Sequence, residues 1–508
     1  MASQGNTIIF PSQTNDLKTI LTELKRSNLS ITNRLHSIHA DATFVASVAK
    51  AFHPLPLIAN ERCGSWYIPS SSASISASEA QGHPSSATTT TNPPDHCRKA
   101  GSAYFKSTDG HHGEWSFSLR RLNLQILDLV GEGGGCIIVD STRRGKSMPD
   151  ALSKTIPIWI CVLNRLLFPS SPSLSSSSSS TTASEANNLH TPETLISPSE
   201  HSQILARIPS FVTALQTLHL DVPSLREKLK GRPLRPFFVT PSSDLVSVAE
   251  EVREQTTQDG NGCHPVILCT ASSRESEEEA SHHVSGYVQG AADDAEAWAL
   301  GLDAQGFWEN CEELLRSSED ELPEVVGKIV AERKAEGRSG KGGKRPTRVD
   351  PCGNLAVASN AAADEEGAGG EFDLVVSCSG VATSALEERM EKRYLHLPIS
   401  SSGKLGSRQL RNELPKLEQL RSLLRPESRL LVTCETGKDL SVGVALALIC
   451  LFYDSSGNLI IPAEGERSEK QVLNKEVIRQ RLAWIMVSMP DASPSRATLQ
   501  SVNAFLLG

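Results

Sequence analysis

The sequence predicts an α/β protein in two parts, 508 residues in all. Three observations predict it. Short continuous apolar runs end at polar loops, helical stretches alternate with those runs, and low-complexity tracts cut the chain into blocks. Continuous runs of branched apolar residues are how parallel strands buried on both faces read. Strands alternating with helices place functional loops at the carboxyl ends of the strands.

Taken in order, the strands are Cys136-Ile-Ile-Val139, Pro236-Phe-Phe-Val239, Val266-Ile-Leu-Cys269, Asp373-Leu-Val-Val376 and Leu430-Leu-Val-Thr433. Each runs into a polar loop. The helical stretches are Asn15–Leu35, Ile156–Leu167, Pro209–His219, Ala295–Trp308, Arg408–Leu424 and Val442–Tyr453. Val442–Tyr453 is the longest apolar stretch and is too short to span a bilayer.

Hydrophobic residues make up 38% and charged residues 21%. Both are low, and Ser, Thr, Gly and Pro fill the gap in blocks. Such blocks bury too little apolar surface to offset chain entropy. They are Ser70–Pro94, Pro169–Asn188, Gln255–Ala280 and Arg333–Gly370. The first three read as surface insertions of an N-terminal domain, 1–332. The third contains the short strand already named. The last, 333–370, reads as a disordered linker to a C-terminal domain, 371–508.

Net charge is −9, which excludes a histone-like, charge-driven binder of DNA or RNA but not a basic patch on one face. The eleven cysteines are scattered as singles, with no Cys-x-x-Cys pair, so a zinc ribbon is not expected. Several lie in apolar runs and read as buried free thiols of a reducing, cytoplasmic compartment.

Three stretches carry chemistry. The loop Cys434-Glu435-Thr436-Gly437-Lys438-Asp439-Leu440-Ser441 follows a strand and opens an apolar helix. That geometry turns backbone N–H groups and a helix N-terminus toward one point, suited to a phosphoryl group. Gly437 permits the curve, and Ser441 either caps the helix or bonds the Cys434 sulfur. After Val139, Asp140-Ser141-Thr142-Arg143-Arg144-Gly145-Lys146 gathers one carboxylate, two hydroxyls and three cations, a set suited to phosphates and pyrophosphate. Phe105–Asn123 is dense in polar groups: Lys106, Ser107, Thr108, Asp109, His111, Arg120 and Arg121. Further on, Gln289 precedes Asp293 and Asp294 at a helix start, where carboxylates complement the dipole or hold Mg²⁺.

The Cys434 loop resembles the C-x-x-G-x-x-R-[ST] signature of dual-specificity phosphatases, with Tyr394–Pro398 before it and Pro494–Gln500 after it in the family's order. Two positions depart: Leu440 stands where that family has Arg, and Thr433 where it has His. A phosphate-binding loop without phosphatase chemistry is the reading, because the missing Arg holds phosphate and stabilises the transition state. Without that pair Cys434 has less reason to be a thiolate.

Together with Ser27–Ile38, Pro54–Tyr67, Phe105–Asn123, Asp140–Pro157 and Tyr287–Leu302, this tail resembles the initiator-tRNA 2′-O-ribosylphosphate transferases that modify adenosine 64. The resemblance implies an N-terminal α/β transferase domain and a C-terminal phosphatase-like α/β domain with a degenerate phosphate loop. It implies transfer of 5-phosphoribosyl from phosphoribosyl pyrophosphate to a ribose 2′-hydroxyl of initiator tRNA, with Mg²⁺, and neither membrane nor DNA as partner.

On that reading Arg143, Arg144 and Lys146 hold pyrophosphate, and Asp140 orients ribose hydroxyls or the metal. Asp109 or His111 is the base, and Asp293 and Asp294 are metal ligands. Lys106, Ser107, Thr108, Ser141, Thr142, Gln289 and the Cys434–Ser441 loop bind substrate, the loop gripping a phosphate of donor or RNA. RNA is read by shape and phosphates along a stripe of Arg120, Arg121, Arg143, Arg144, Arg232 and Arg235. The two anion cradles are expected to converge on one donor. The alternatives are a dual-specificity-type phosphatase and an inactive pseudophosphatase or RNA-binding scaffold.

Overall fold

The computed structural model describes residues 29–69, 97–108, 113–143, 145–169, 187–256, 262–273, 286–339, 345–364, 371–382, 387–388, 390–399, 403–460 and 473–508. Most of the low-complexity blocks, together with Asp109, His111 and Arg144, lie outside the described residues. The chain forms two compact units. The first lies within 1–115, 126–208 and 223–336; the second takes 337–508 together with 116–125 and 209–222.

The first unit is built on a sheet of β1 (Leu57–Asn60), β2 (Lys99–Ala103), β3 (Cys136–Asp140), β4 (Leu234–Val239) and β5 (His264–Thr270). Their order is β2-β1-β3-β5-β4, and every pairing is parallel. The central strands β1, β3 and β5 are buried at every residue, as their unbroken apolar runs require. Five helices of the unit are α1 (Ile31–Ala51), α2 (Ile126–Gly133), α3 (Ile156–Leu167), α4 (Leu245–Thr256) and α5 (Leu322–Ser339). Ser30 caps α1 by accepting from the Asn33 N–H at 3.3 Å. The core joins Leu35, Ile38, Val45 and Val48 of α1 to Ile137 and Val139 of β3 and to Phe307 and Trp308.

Two features set the loop geometry at the carboxyl edge. A Cβ on Gly64 would lie 2.2 Å from the Val139 carbonyl oxygen, so only glycine lets the turn after β1 pass over β3. Gly290 has φ +66°, and a Cβ there would lie 2.6 Å from the Thr142 carbonyl. Because the sheet is parallel, all the loops that follow its strands emerge along one edge.

The second unit has β6 (Thr347–Arg348), β7 (Leu355–Ser359), β8 (Leu374–Ser379), β9 (Tyr394–Pro398) and β10 (Leu430–Cys434), in the order β6-β7-β10-β8-β9. Only β6 runs antiparallel. Its helices include α6 (Gly403–Glu413), α7 (Leu440–Phe452), α8 (Lys475–Ser488) and α9 (Arg496–Leu506). Helix α7 is buried on nearly every side and is the unit's core helix. No described helix is long and apolar enough to cross a membrane.

The expected linker 333–370 is corrected here. Helix α5 runs to Ser339, and Leu355–Ser359 is an internal strand of the second sheet with four buried residues. The run Leu-Ala-Val-Ala is short and sits among Gly-rich and charged stretches, so composition masked it. Helix boundaries moved as well. The first described helix is Ile31–Ala51, and residues 15–28 of the expected helix Asn15–Leu35 lie outside the described residues. The stretch 295–308 splits into Ala295–Trp298 and Ala304–Glu309, with Gly301 at φ +89° between them.

Candidate functional site

In the first unit the site grows from the carboxyl ends of β1 and β3. Asp140 closes β3 with no exposed surface. Its carboxylate accepts from Asn60 Nδ2 at 2.7 Å, the Ser141 N–H at 2.8 Å, Cys63 Sγ at 3.1 Å and Arg62 Nε at 3.3 Å. Asn60 uses both ends of its amide on Phe105 as well, donating to the carbonyl at 3.0 Å and accepting from the N–H at 2.8 Å. Burial pushes the Asp140 carboxyl above its ordinary value, and Arg62 opposes that rise. Burial also works against the Arg62 charge, but Asp140 outweighs it and holds the guanidinium above its usual value.

The same arginine reaches onward to Asp293 at 3.4 Å. Arg143 lies 3.7 Å from Asp293 and is hydrogen-bonded to Asp294. Ser141 and Thr142 are buried, and Thr142 exchanges two hydrogen bonds with the Ser272 hydroxyl at 3.2 and 2.9 Å. Beyond them the loop turns outward. Gln289 clips it by accepting from the Gly145 N–H and donating to the Lys146 carbonyl, both at 2.8 Å. The result is a loop whose first three residues are fixed in the interior and whose Arg143 and Lys146 side chains remain 44% and 42% exposed.

The Phe105 segment joins this edge. The Thr108 hydroxyl donates to Asp150 at 3.1 Å, and the Lys106 carbonyl accepts from Thr155 at 2.9 Å. Asp150 faces Lys146 at 3.7 Å and Lys154 at 3.6 Å. Thr108, Lys146 and Lys154 thus converge on Asp150, the Lys106 main chain is tied to Thr155 at the end of the helical stretch Ala151–Thr155, and Ser107 is partly buried between Lys106 and Thr108. Hydroxyls and cations share this edge with carboxylates: Lys154 also meets Glu200 at 2.8 Å and Arg143 meets Asp294, so a phosphate would compete with those ion pairs for the cations.

Several expectations change. Asp140 holds the loop architecture and has no face left for a ribose or a metal. Ser141 and Thr142 are interior supports for the same reason. Asp293 and Asp294 are taken by arginine guanidinium groups, and among the described residues no cluster of His, Cys, Asp or Glu suits a metal ion. The described residues therefore offer no preformed cage of protein ligands for Mg²⁺. The arginine stripe also divides. Arg232 and Arg235 lie at the amino end of β4, whereas Arg143 follows the carboxyl end of β3, and parallel strands put those ends on opposite edges.

Sequence reasoning missed Asn60, Arg62, Cys63, Asp150 and Lys154. A signal existed: Leu57-Ile-Ala-Asn60 followed by Glu-Arg-Cys-Gly repeats the pattern of an apolar strand feeding a polar, glycine-containing loop.

In the second unit, Cys434 ends β10 and its loop opens α7. The thiol, 2% exposed, lies 3.1 Å from the Ser441 hydroxyl and 3.9 Å from Thr436. Burial pushes it up, but Ser441, the N–H groups of Ser441 and Asp439, and Thr436 together hold it below the ordinary 9.0. The loop's own donors thus lower the thiol even though the Arg and His of phosphatases are missing. Ser441 serves the sulfur rather than capping the helix. Gly437, at φ +71°, comes close to Ala358 and Ser359 of β7.

Asp439 turns away from the loop mouth, accepting from Thr498 at 2.6 Å and the Ser495 N–H at 2.8 Å. Glu435 and Lys438 are exposed, and Lys438 faces Asp491 at 3.4 Å. Leu440 is buried, so nothing cationic enters from the position where phosphatases carry Arg. Arg121 donates to Ser493 at 3.2 Å. All eleven cysteines are buried and unpaired.

Comparison with known proteins agrees with both halves. Residues 24–88 and 93–331 match the Rit1 N-terminal domain, and 393–506 match the Rit1 DUSP-like domain. The tRNA A64-2′-O-ribosylphosphate transferase of Saccharomyces cerevisiae is 33% identical over 97% of this chain and 95% of its own length. An uncharacterized protein of Schizosaccharomyces pombe is 34% identical over 94% of each. Among solved structures, the Yvh1 phosphatase domain of Chaetomium thermophilum is 19% identical, covering 32% of this chain and 94% of its own, with a TM-score of 0.23. The leucine-rich-repeat phosphatase-domain protein of Entamoeba histolytica is 14% identical over 32% and 91%, with a TM-score of 0.22. On the near full-length identity and the two domain matches, this chain belongs to the Rit1 family of the yeast tRNA ribosylphosphate transferase.

Proposed function

We propose that this protein transfers 5-phosphoribosyl from phosphoribosyl pyrophosphate to the ribose 2′-hydroxyl of adenosine 64 in initiator tRNA. The bond between the anomeric carbon and pyrophosphate breaks, and a bond from that carbon to the 2′-oxygen forms. Positive charge spreads into the sugar ring between the two events, the leaving oxygen takes up the bonding pair, and the hydroxyl proton passes to a base. The observation that carries the reading is the β3 loop. Its interior is locked by Asp140 and Gln289, while Arg143 and Lys146 reach the surface and Lys146 shares Asp150 with Thr108.

Preorganised cations at that edge would neutralise charge developing on pyrophosphate without reorganising. Asp109 or His111 would take the proton; both lie on the segment that Thr108 anchors to Asp150. Arg144 would join the pyrophosphate set. The Cys434–Ser441 loop would grip a phosphate of donor or RNA. The protein would act in the cytoplasm, marking initiator tRNA against use in elongation.

The test is incubation of the purified chain with labelled donor, Mg²⁺ and total tRNA. Label is expected in initiator tRNA, at the ribose of adenosine 64. Label in no tRNA, from folded protein, would remove the proposal.

One observation favours a second reading. The depressed Cys434 thiol is half of a phosphatase's machinery. Without an arginine at Leu440 it should release no phosphate from an aryl phosphate. Turnover that disappears in Cys434→Ala would establish the phosphatase instead.

A further inference from the structure

The second unit contains a cavity of about 300 Å³ whose lining includes no residue of the Cys434–Ser441 loop. It is lined by the Leu119–Arg120 segment, by α7 at Leu446, and by α8 and α9. Helix α8 contributes Lys475, Ile478, Arg479 and Leu482, a spacing of three and four that puts all of them on one face. Helix α9 contributes Arg496, Leu499, Gln500 and Asn503 at the same spacing. Each helix thus alternates exposed polar heads with buried apolar positions. Ile478, Leu482, Leu499 and Leu446 form the floor, each less than a tenth exposed.

Four cations ring that floor: Arg120, Lys475, Arg479 and Arg496. All four are exposed, and among the described residues none has an acidic partner. No carboxylate lines the cavity. Four like charges held around one concavity repel one another, so the arrangement costs stability unless an anion fills it. Most other cations of this unit with a described contact are paired with carboxylates, as in Arg348–Glu371, Lys416–Glu413, Arg421–Glu418 and Arg429–Asp373.

We infer that this cavity binds the phosphodiester backbone of the RNA acceptor. The inference rests on the proposal that tRNA is the substrate and assigns part of its recognition to the second unit. Three details favour RNA backbone over a small anion. The cations come from three separate segments, a spread suited to successive phosphates. The apolar floor suits a sugar face rather than a free, fully hydrated ion. The opposite flank of α8, with Asn474, Gln480 and one carboxylate, Glu476, lines a second cavity of about 440 Å³ shared with Thr213, Gln216 and Thr217. Those amides and hydroxyls match ribose 2′-hydroxyl groups, which both donate and accept.

The experiment measures anisotropy of a fluorescein-labelled initiator tRNA transcript titrated with the full chain, at several salt concentrations. The pair Arg479→Glu with Arg496→Glu is expected to weaken binding at least tenfold. Losing two phosphate contacts should make the plot of log affinity against log salt shallower by about 1.5. Affinity within twofold of wild type, with an unchanged slope, overturns the inference. Should the charge reversals unfold the chain, Arg479→Gln with Arg496→Gln replaces them, with at least a threefold loss expected and no loss overturning.

Inorganic phosphate is the control ligand. Protection of wild type against heating by phosphate, abolished in the variants while tRNA affinity stays unchanged, assigns the cavity to a small anion and overturns the RNA reading. Wild-type transfer of label is measured on the same preparation. Failure of that transfer refutes the proposed reaction alone and leaves the binding comparison standing.

Discussion

The two loops at the ends of β3 and β10 begin alike and finish differently. Each follows a wholly buried parallel strand, and each strand ends in an ionisable residue, Asp140 or Cys434. In the first unit the terminal carboxylate is consumed by four internal donors, and the charges able to meet a ligand lie three to six residues further on. In the second unit the terminal thiol is itself favoured as an anion by backbone and hydroxyl donors, and no cation follows at Leu440. A strand end can therefore supply either scaffold or reactive group. The donors around it decide which, not the type of residue alone.

That contrast is open to attack, and the largest effect is expected at Asp140. Replacing it by Ala leaves Arg62, Asn60 and Cys63 without their acceptor, and breaking a buried ion pair costs about 3–5 kcal/mol. Urea denaturation should show that loss. A loss of transfer with stability intact would make Asp140 a reactive group after all. Next, Arg143→Ala and Lys146→Ala should each reduce transfer by about 10- to 100-fold, the cost of one charge-assisted contact to the leaving group. Their melting temperatures should stay near wild type, since both side chains are about two-fifths exposed.

A smaller change is expected at the turn over β3. Gly64→Ala forces a Cβ toward the Val139 carbonyl and should cost about 1–3 kcal/mol of stability. A neutral result would mean that the turn and strand separate easily.

The smallest effect concerns pH and separates the two strand ends by sign. Cys434 binds its proton less tightly folded than unfolded, so its contribution to stability is present above the ordinary thiol value of 9.0 and is lost as pH falls through its depressed folded value. Asp140 is raised, so folded protein holds the proton longer, and its contribution declines as pH climbs from the ordinary 3.8 toward the raised value. Thiolate absorbance at 240 nm, wild type minus Cys434→Ser, should rise at a pH below 9.0. A midpoint at or above 9.0 would erase the contrast.

Much of the scaffold was legible because burial on two faces leaves a plain trace. The runs at 136–139, 236–239, 266–269 and 430–433 all became strands, extended by one to three residues. Strands of mixed or tiny side chains left no such trace. Lys99-Ala-Gly-Ser-Ala103 is a half-exposed edge, and Leu355–Ser359 sits within low-complexity surroundings. At the site, the Asp140 loop could be found from sequence but its roles could not be assigned. Whether a carboxylate faces solvent or interior is set by Asn60 and Arg62, some 80 residues earlier, and local spacing carries no record of that pairing.

The carboxamide of Asn60 has a practical corollary for anyone exchanging parts among relatives. Because one side chain ties the Phe105 main chain to the tip of the neighbouring β3, the stretches around 60, 105 and 140 behave as a single mechanical component. A chimera that imports any one of them alone would misalign the other two, whereas a graft carrying all three should keep its alignment.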